Sequence, residues 1–329
     1  MDSLIKTLLN ESLLADLLNR YGLNPDVRLI SDWHAFTFEV QKKDGTPYIL
    51  RVTHDTHRTK SEIEGELKWI MFLQKQGLPV PSVIPSIEDL ILEAVMADKS
   101  AFTAVLFEKL NGRPVSNADW NSTLFGQWGS LVGRLHRFSK GPFGTNIRPE
   151  WHQSDFLNVE AYIPEHLSII KRSARELVGS IKALASTHSL AYGLMHADVY
   201  QSNFFLSGKD LQLFDFDNCE YGFLVNDIAI SLYAALWKLP PNESKQVFAA
   251  NFLTTFWAQY QKEFRLGAED LQMLPLFLRL RDVVIYIVAR KKLDLNNLNP
   301  TQARLLQERG DRIAAKAAVV DVEGILGAC

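Results

Sequence analysis

Leu4, Leu8, Leu9, Leu13 and Leu17 recur at helical spacing and predict a first helix that stops near Gly22. The period then changes. Phe36, Phe38 and Val40 alternate with Thr37, Glu39 and Gln41, as in a strand with one buried face. Lys43-Asp44-Gly45 supplies a turn, and Tyr48 to Val52 reads as the returning strand. Ser61 with Glu64 fits a capping box for a helix bearing Ile63, Leu67, Ile70 and Leu73, ended by Gly77. Pro79, Pro81 and Pro85 forbid its continuation. Leu90–Leu92 and Thr103–Phe107 are two further predicted strands.

Past Asn111-Gly112-Arg113-Pro114 the pattern turns helical, with Trp120, Leu124, Trp128, Leu131, Leu135 and Phe138 on one stripe. Helices are predicted around 164–187, 225–238, 243–264, 269–292 and 300–318, interrupted by short apolar runs over 190–224. The expected fold class is α+β and bilobal. Residues 1–107 form an antiparallel sheet with helix, 108–112 a hinge, and 113–329 a mostly helical lobe. Such an arrangement places a ligand between lobes.

Composition narrows the class. Hydrophobic residues make up 47% and charged residues 22%, as in an ordinary globular protein. The 35 basic and 38 acidic residues leave a charge of −3, which gives no electrostatic reason to expect nucleic acid or an anionic membrane. Cys219 and Cys329 form no CxxC pair, so neither a disulfide framework nor a zinc site is expected. The first residues lack a basic n-region, and the run Val283 to Ala289 is far shorter than the roughly 20 residues a membrane span needs. The expectation is a cytoplasmic protein.

The chemistry concentrates in His196-Ala-Asp198-Val-Tyr-Gln-Ser-Asn203, followed by Phe204–Leu206, Gly208-Lys209-Asp210, Leu211–Phe214, Asp215 and Asp217. The two apolar runs around the Gly-Lys-Asp turn predict a hairpin. A hairpin returns the chain to its start, so Asn203 at its entrance and Asp215 at its exit become neighbours, with Asp198 facing the same end. Two carboxylates and an amide oxygen make a hard-oxygen site suited to magnesium and phosphate. That is the division of labour in phosphoryl transfer: one Asp orients or deprotonates the acceptor, while an Asn and a second Asp hold metal.

The segment HADVYQSN resembles the catalytic loop H-x-D-x-x-x-x-N of the aminoglycoside phosphotransferase and choline kinase-like family, relatives of the protein kinases. LFDFD is similar to that family's metal-binding segment, and Asn226-Asp227-Ile228-Ala229 to its D-[LI]-A sequence. GELKWIMFLQKQGLPVP resembles its glutamate-bearing helix. The resemblance implies a kinase-like bilobal fold with ATP and Mg, Asp198 as catalytic base, and Asn203 and Asp215 as metal ligands. Asp217 is implied as an auxiliary ligand, beside the reading of a solvated loop acid. His196 and Asp227 brace the loop. Arg51 stands where the family usually has a lysine for the nucleotide phosphates, with Glu66 as its partner, beside the reading of two ordinary surface charges. By position alone, backbone groups of Glu108 and Leu110 at the start of the hinge are placed to read adenine, and a plain interlobe linker has the same look.

The connection Ser31 to Phe36 holds no glycine, so either it covers phosphate with side chains or nucleotide binding is weak. His54-Asp55-Thr56-His57 reads as solvated loop chemistry. The leading function is transfer of the ATP γ-phosphate to a small-molecule hydroxyl, of an aminoglycoside, choline, homoserine-like or other acceptor, whose identity the sequence leaves open. Three alternatives stay open on the residues alone: a nucleotide-binding scaffold without chemistry, a Ser/Thr protein kinase, and a metal-dependent hydrolase, for which the eight histidines offer few ligands.

Overall fold

A computed structural model describes residues 3–142, 147–239 and 242–326. Cys329, one of the two cysteines, lies outside the described residues. In chain order the elements begin α1 (Ser3–Leu8), α2 (Glu11–Arg20), β1 (Arg28–Ser31), β2 (Phe36–Gln41), β3 (Pro47–His54), α3 (Lys60–Lys75), β4 (Val83–Ile84), β5 (Glu93–Ala97) and β6 (Ser100–Glu108). They continue with α4 (Ser122–Arg137), α5 (Val159–Tyr162), α6 (Ser168–Thr187), β7 (Tyr192–Met195), β8 (Phe204–Ser207), β9 (Asp210–Leu213), β10 (Glu220–Phe223) and α7 (Val225–Ala235). The last are α8 (Lys245–Glu263), α9 (Ala268–Gln272), α10 (Leu274–Lys292), α11 (Pro300–Ala315) and α12 (Glu323–Leu326). The chain divides into two compact units. One is Met1–Arg113 with Gly141–Arg148 and Phe205–Asp217; the other is Pro114–Lys140, Pro149–Phe204 and Asn218–Cys329.

In the first unit, β1 to β6 form an antiparallel sheet in the order β1-β2-β3-β6-β4, with β5 also on β6. The alternation predicted for 36–41 is realised: Phe36, Phe38 and Val40 are buried while Thr37 and Glu39 are not fully so. Leu50 and Val52 of β3 join them against Leu17 and Leu18 of α2 and Tyr21 at its C-terminal end in the core. Each such side chain contributes roughly 1.5–3 kcal/mol of burial. Residue 51 points to the opposite face because side chains alternate along a strand, and that face meets α3. Gly65 of α3 is needed where it stands. A Cβ there would lie 1.9 Å from the Ile147 carbonyl oxygen.

The second unit is mostly helical. α4 packs along α8, and Gly129 permits the approach, since a Cβ would sit 2.0 Å from the Phe256 carbonyl oxygen. Trp128 is fully buried and meets Phe204 and Phe252 edge-on. The aromatic run of α8 is core, with Phe252, Phe256 and Tyr260 buried.

Four local expectations are corrected. The first helix is two helices, because Asn10 leaves the helical conformation and its side chain caps α2 through Leu13 N–H. The capping box of α3 is Thr59 with Glu62, two residues before Ser61 and Glu64; both pairs fit the pattern, and the earlier one also ties Thr59 N–H to the Glu62 carboxylate at 2.8 Å. Leu90–Leu92 is bent chain, and the strand begins at Glu93. The helix predicted over 269–292 breaks at Met273, since Pro275 lacks the N–H a continuous helix would need and sits in the first turn of α10.

Candidate active site

In the first unit, Arg51 and Glu66 form a two-pronged ion pair, Nη1 to Oε1 at 2.8 Å and Nη2 to Oε2 at 2.7 Å. Both are buried, Glu66 completely. Burial opposes the guanidinium charge, but Glu66, with Asp217 and Asp215 behind it, holds the Arg51 pKa above its ordinary value. The planar fork of arginine makes this geometry possible, where a lysine would offer one point charge. Arg51 also lies over the Phe107 ring, 5.3 Å from its centroid.

The predicted hairpin is present as β8 paired with β9, turning at Gly208 with φ +62°. Asp215 follows β9, exposed, with φ +63°. A left-handed backbone is costly for a side chain with a Cβ, on the order of 1–3 kcal/mol, and such strain gathers at functional positions. Asp217 is not a solvated acid. It is buried, its Oδ2 accepts a hydrogen bond from His57 Nε2 at 2.8 Å, and Arg58 Nε lies 3.5 Å from Oδ1. Arg148 donates to the carbonyls of Glu62 at 2.8 Å and Asp217 at 2.6 Å. Burial pushes the Asp217 pKa up, yet the His57 hydrogen bond and the charges of Arg58, His57 and Arg51 outweigh it and hold the carboxyl well below its usual range. The auxiliary metal role expected of Asp217 therefore has a competitor, because both its oxygens already face cationic or donor groups.

In the run His54 to His57, Asp55 and Thr56 are exposed as expected of solvated loop residues, but the two histidines are engaged. His54 is buried between Thr56 at 2.8 Å and Ser100 at 3.0 Å. His57 stacks on His34 of the glycine-free connection, with ring centroids 4.8 Å apart. The Glu108 amide donates to the Ser82 carbonyl at 2.9 Å, so an adenine contact from Glu108 would have to use its carbonyl; Leu110 is half-buried.

In the second unit, the loop after β7 is built around Asp227, which stands in the first turn of α7 and is completely buried. Its Oδ2 accepts from His196 N–H at 3.0 Å and its Oδ1 from Ala197 N–H at 2.8 Å. His136 Nε2 lies 3.2 Å from Oδ2, while His136 Nδ1 pairs with the Tyr260 hydroxyl at 2.8 Å. Ala197 has φ +63°. Two charge-assisted bonds from adjacent amides offset that strain. His196 is buried, and its Nδ1 receives the Asp198 amide at 3.3 Å.

Asp198 is thereby carried on a fixed turn with its carboxylate partly open. Asn203 Nδ2 donates to the Asp198 carbonyl at 3.0 Å and to Oδ2 at 3.2 Å. These two bonds use the Asn203 side-chain nitrogen; an amide oxygen is the atom a hard cation takes. Arg281 of α10 donates from Nη2 to Asp198 Oδ1 at 3.1 Å. Arg281 stands in no motif, and in the sequence it is one basic residue within a predicted helix. His136, Tyr260 and Arg148 were missed altogether, since nothing local distinguishes them from core or surface residues. Among the described residues no group of three or more His, Cys, Asp and Glu could hold a metal, and no helix is long and apolar enough to cross a membrane.

Comparison with known proteins identifies the family. A profile of the family described as phosphotransferase enzyme family matches residues 26–268. The chain is 33% identical over 302 residues to the amicoumacin kinase of Bacillus subtilis (strain 168), covering 90% of this chain and 89% of that protein. Among solved structures, an amicoumacin kinase in complex with AMP-PNP, Ca2+ and Ami has a TM-score of 0.90 at 30% identity, over 97% of this chain and 98% of that one. A microcompartment-associated aminopropanol kinase shares the fold, with a TM-score of 0.71 at 20% identity over 93% and 96% of the two chains.

Proposed function

The chain belongs to the phosphotransferase enzyme family and is a phosphotransferase acting on hydroxyl groups, and within that chemistry we propose that Asp198 is the base for the acceptor. The phosphoryl donor is ATP with a divalent cation; an ATP analogue and Ca2+ are bound in the similar amicoumacin kinase. The observation that carries the Asp198 assignment is its mounting. It sits half-open on a turn whose two preceding amides are pinned by Asp227, with Asn203 on one side and Arg281 on the other.

Asn203 and Asp215 would hold the cation. Asn203 has its amide oxygen unspent toward Asp198, and Asp215 is an exposed carboxylate on a strained backbone. The cation supplies neutralisation of phosphate charge when bound. Arg51, fixed by Glu66, serves the nucleotide phosphates, with Glu108 and Leu110 toward adenine. Asp217 serves as a brace for His57 and Arg58 in this reading. His196 and Asp227 keep the loop in shape, so the hydroxyl meets Asp198 without a search through loop conformations.

For the acceptor we infer amicoumacin or a molecule of its class, on the strength of 33% identity along nine-tenths of the chain. The experiment is incubation of the purified protein with amicoumacin, ATP and magnesium. ADP release with a mass gain of one phosphoryl group is expected. ADP release with another hydroxyl compound but none with amicoumacin would overturn the acceptor while keeping the chemistry.

A further inference from the structure

Arg281 carries more donors than its one contact uses. A guanidinium has five N–H groups. Among the described residues its hydrogen bonding is the single bond from Nη2 to Asp198 Oδ1 at 3.1 Å. The side chain is 14% exposed, so the remaining donors are neither sealed in the core nor spread into bulk water. Its direction is set by the next residue. Asp282 is buried and receives Arg312 at 2.6 and 2.9 Å and the Tyr233 hydroxyl at 2.6 Å, which fixes the rotation of α10 about its axis.

On the reading of Asp198 as the base, we propose that Arg281 determines acceptor specificity, holding the Asp198 carboxylate with one N–H and binding an acceptor oxygen beside the reacting hydroxyl with the others. The class of acceptor follows from charge. A carbonyl or carboxylate oxygen brought next to a bare Asp198 would be repelled. With Arg281 in place the pair is neutral, and the spare N–H groups draw that oxygen in. The Asp198 carboxylate has about four lone-pair sites, of which Arg281 and Asn203 occupy two, so a hydroxyl still finds one. Arg281 thus favours hydroxyl compounds that bear a carbonyl or carboxylate close to the hydroxyl over plain alcohols and amino alcohols.

The test is steady-state kinetics of wild type, Arg281→Ala and Arg281→Lys with amicoumacin as acceptor, beside homoserine and linear aminopropanol, which share a skeleton but differ in the carboxylate. Loss of a charged hydrogen bond worth about 1.5–3 kcal/mol predicts an acceptor KM raised roughly tenfold or more in Arg281→Ala, with the ATP KM unchanged and partial recovery in Arg281→Lys. A fall in kcat alone, with acceptor KM unmoved in both variants, would show a purely structural arginine and overturn the proposal. Should wild type leave amicoumacin untouched, the acceptor assigned above fails on its own. The homoserine and aminopropanol pair then decides for Arg281, and equal use of both, or preference for aminopropanol, overturns it.

Discussion

Asp217 and Asp227 are both buried carboxylates close in sequence to the candidate base, yet each unit of the molecule holds its own in a different way. Asp217, in the first unit, is surrounded by His57, Arg58 and the more distant Arg51. Asp227, in the second, is held by two backbone amides and a histidine whose other nitrogen is taken by Tyr260. Charge pairing is weakly directional. It keeps a segment near its partners without dictating a backbone angle. Amide hydrogen bonds are directional, and two from adjacent residues select one conformation, here the one with Ala197 at φ +63°. The cationic cluster places the chain around Asp217, and the amide clamp shapes the loop that presents Asp198.

The largest effect expected is at the residue the clamp presents. Asp198→Ala should lower phosphoryl transfer by about 10²–10⁴-fold, the range for losing a positioned base, while AMP-PNP binding measured by calorimetry stays as in wild type. Turnover equal to wild type would remove Asp198 from the mechanism and leave the clamp without a purpose. Next is Asp227→Asn, which puts an NH2 where one of the two amides needs an acceptor. A stability loss of about 3–5 kcal/mol in urea unfolding is expected, with a fall in kcat at unchanged ATP KM, as for breaking one partner of a buried charged network. If stability falls and kcat per folded molecule does not, the directional half of the comparison is wrong.

Glu66→Gln probes the charge-paired unit and should cost less, about 3 kcal/mol, because Arg51 is left buried with only the more distant Asp217 and Asp215 as counter-charges. The ATP KM should rise, since Arg51 loses the fork that aims it. An unchanged ATP KM would detach Arg51 from the nucleotide.

The difference between the two devices also explains what could be read from the sequence. Asp198, Asn203, Asp215 and Asp227 fall in one contiguous stretch with motif spacing, and the hairpin between Asn203 and Asp215 is announced by apolar runs around Gly208. The sheet was legible because β2 alternates and β3 follows it as an apolar run across the Lys43-Asp44-Gly45 turn, and the long helices because their stripes are continuous. Partners drawn from distant parts of the chain were not legible. His136 reaches Asp227, His57 reaches Asp217, and Arg281 reaches Asp198, each across a long separation that only the folded chain closes. Local ambiguity accounts for the rest. Thr59 and Ser61 both begin a capping pattern, and Leu90–Leu92 is apolar enough for a strand but precedes the register that pairs with β6.

The smallest effect separates the two carboxylates by pH. Because the folded-state carboxyl of Asp217 is held below its unfolded value, its ionisation adds stability that is fully present above about pH 4 and is lost as pH falls toward the folded value. A contribution on the order of 2 kcal/mol is expected from a carboxyl lowered in this manner. Urea unfolding of wild type and Asp217→Asn from pH 7 down to pH 3 should show a gap that is widest near neutrality and narrows below pH 4. The sign is fixed by the cations around Asp217, since the unfolded chain binds the proton more readily there. A gap of constant size across the range would mean that Asp217 contributes by shape and hydrogen bonding, as the amide clamp does at Asp227, and the contrast between the two units would collapse into a single device.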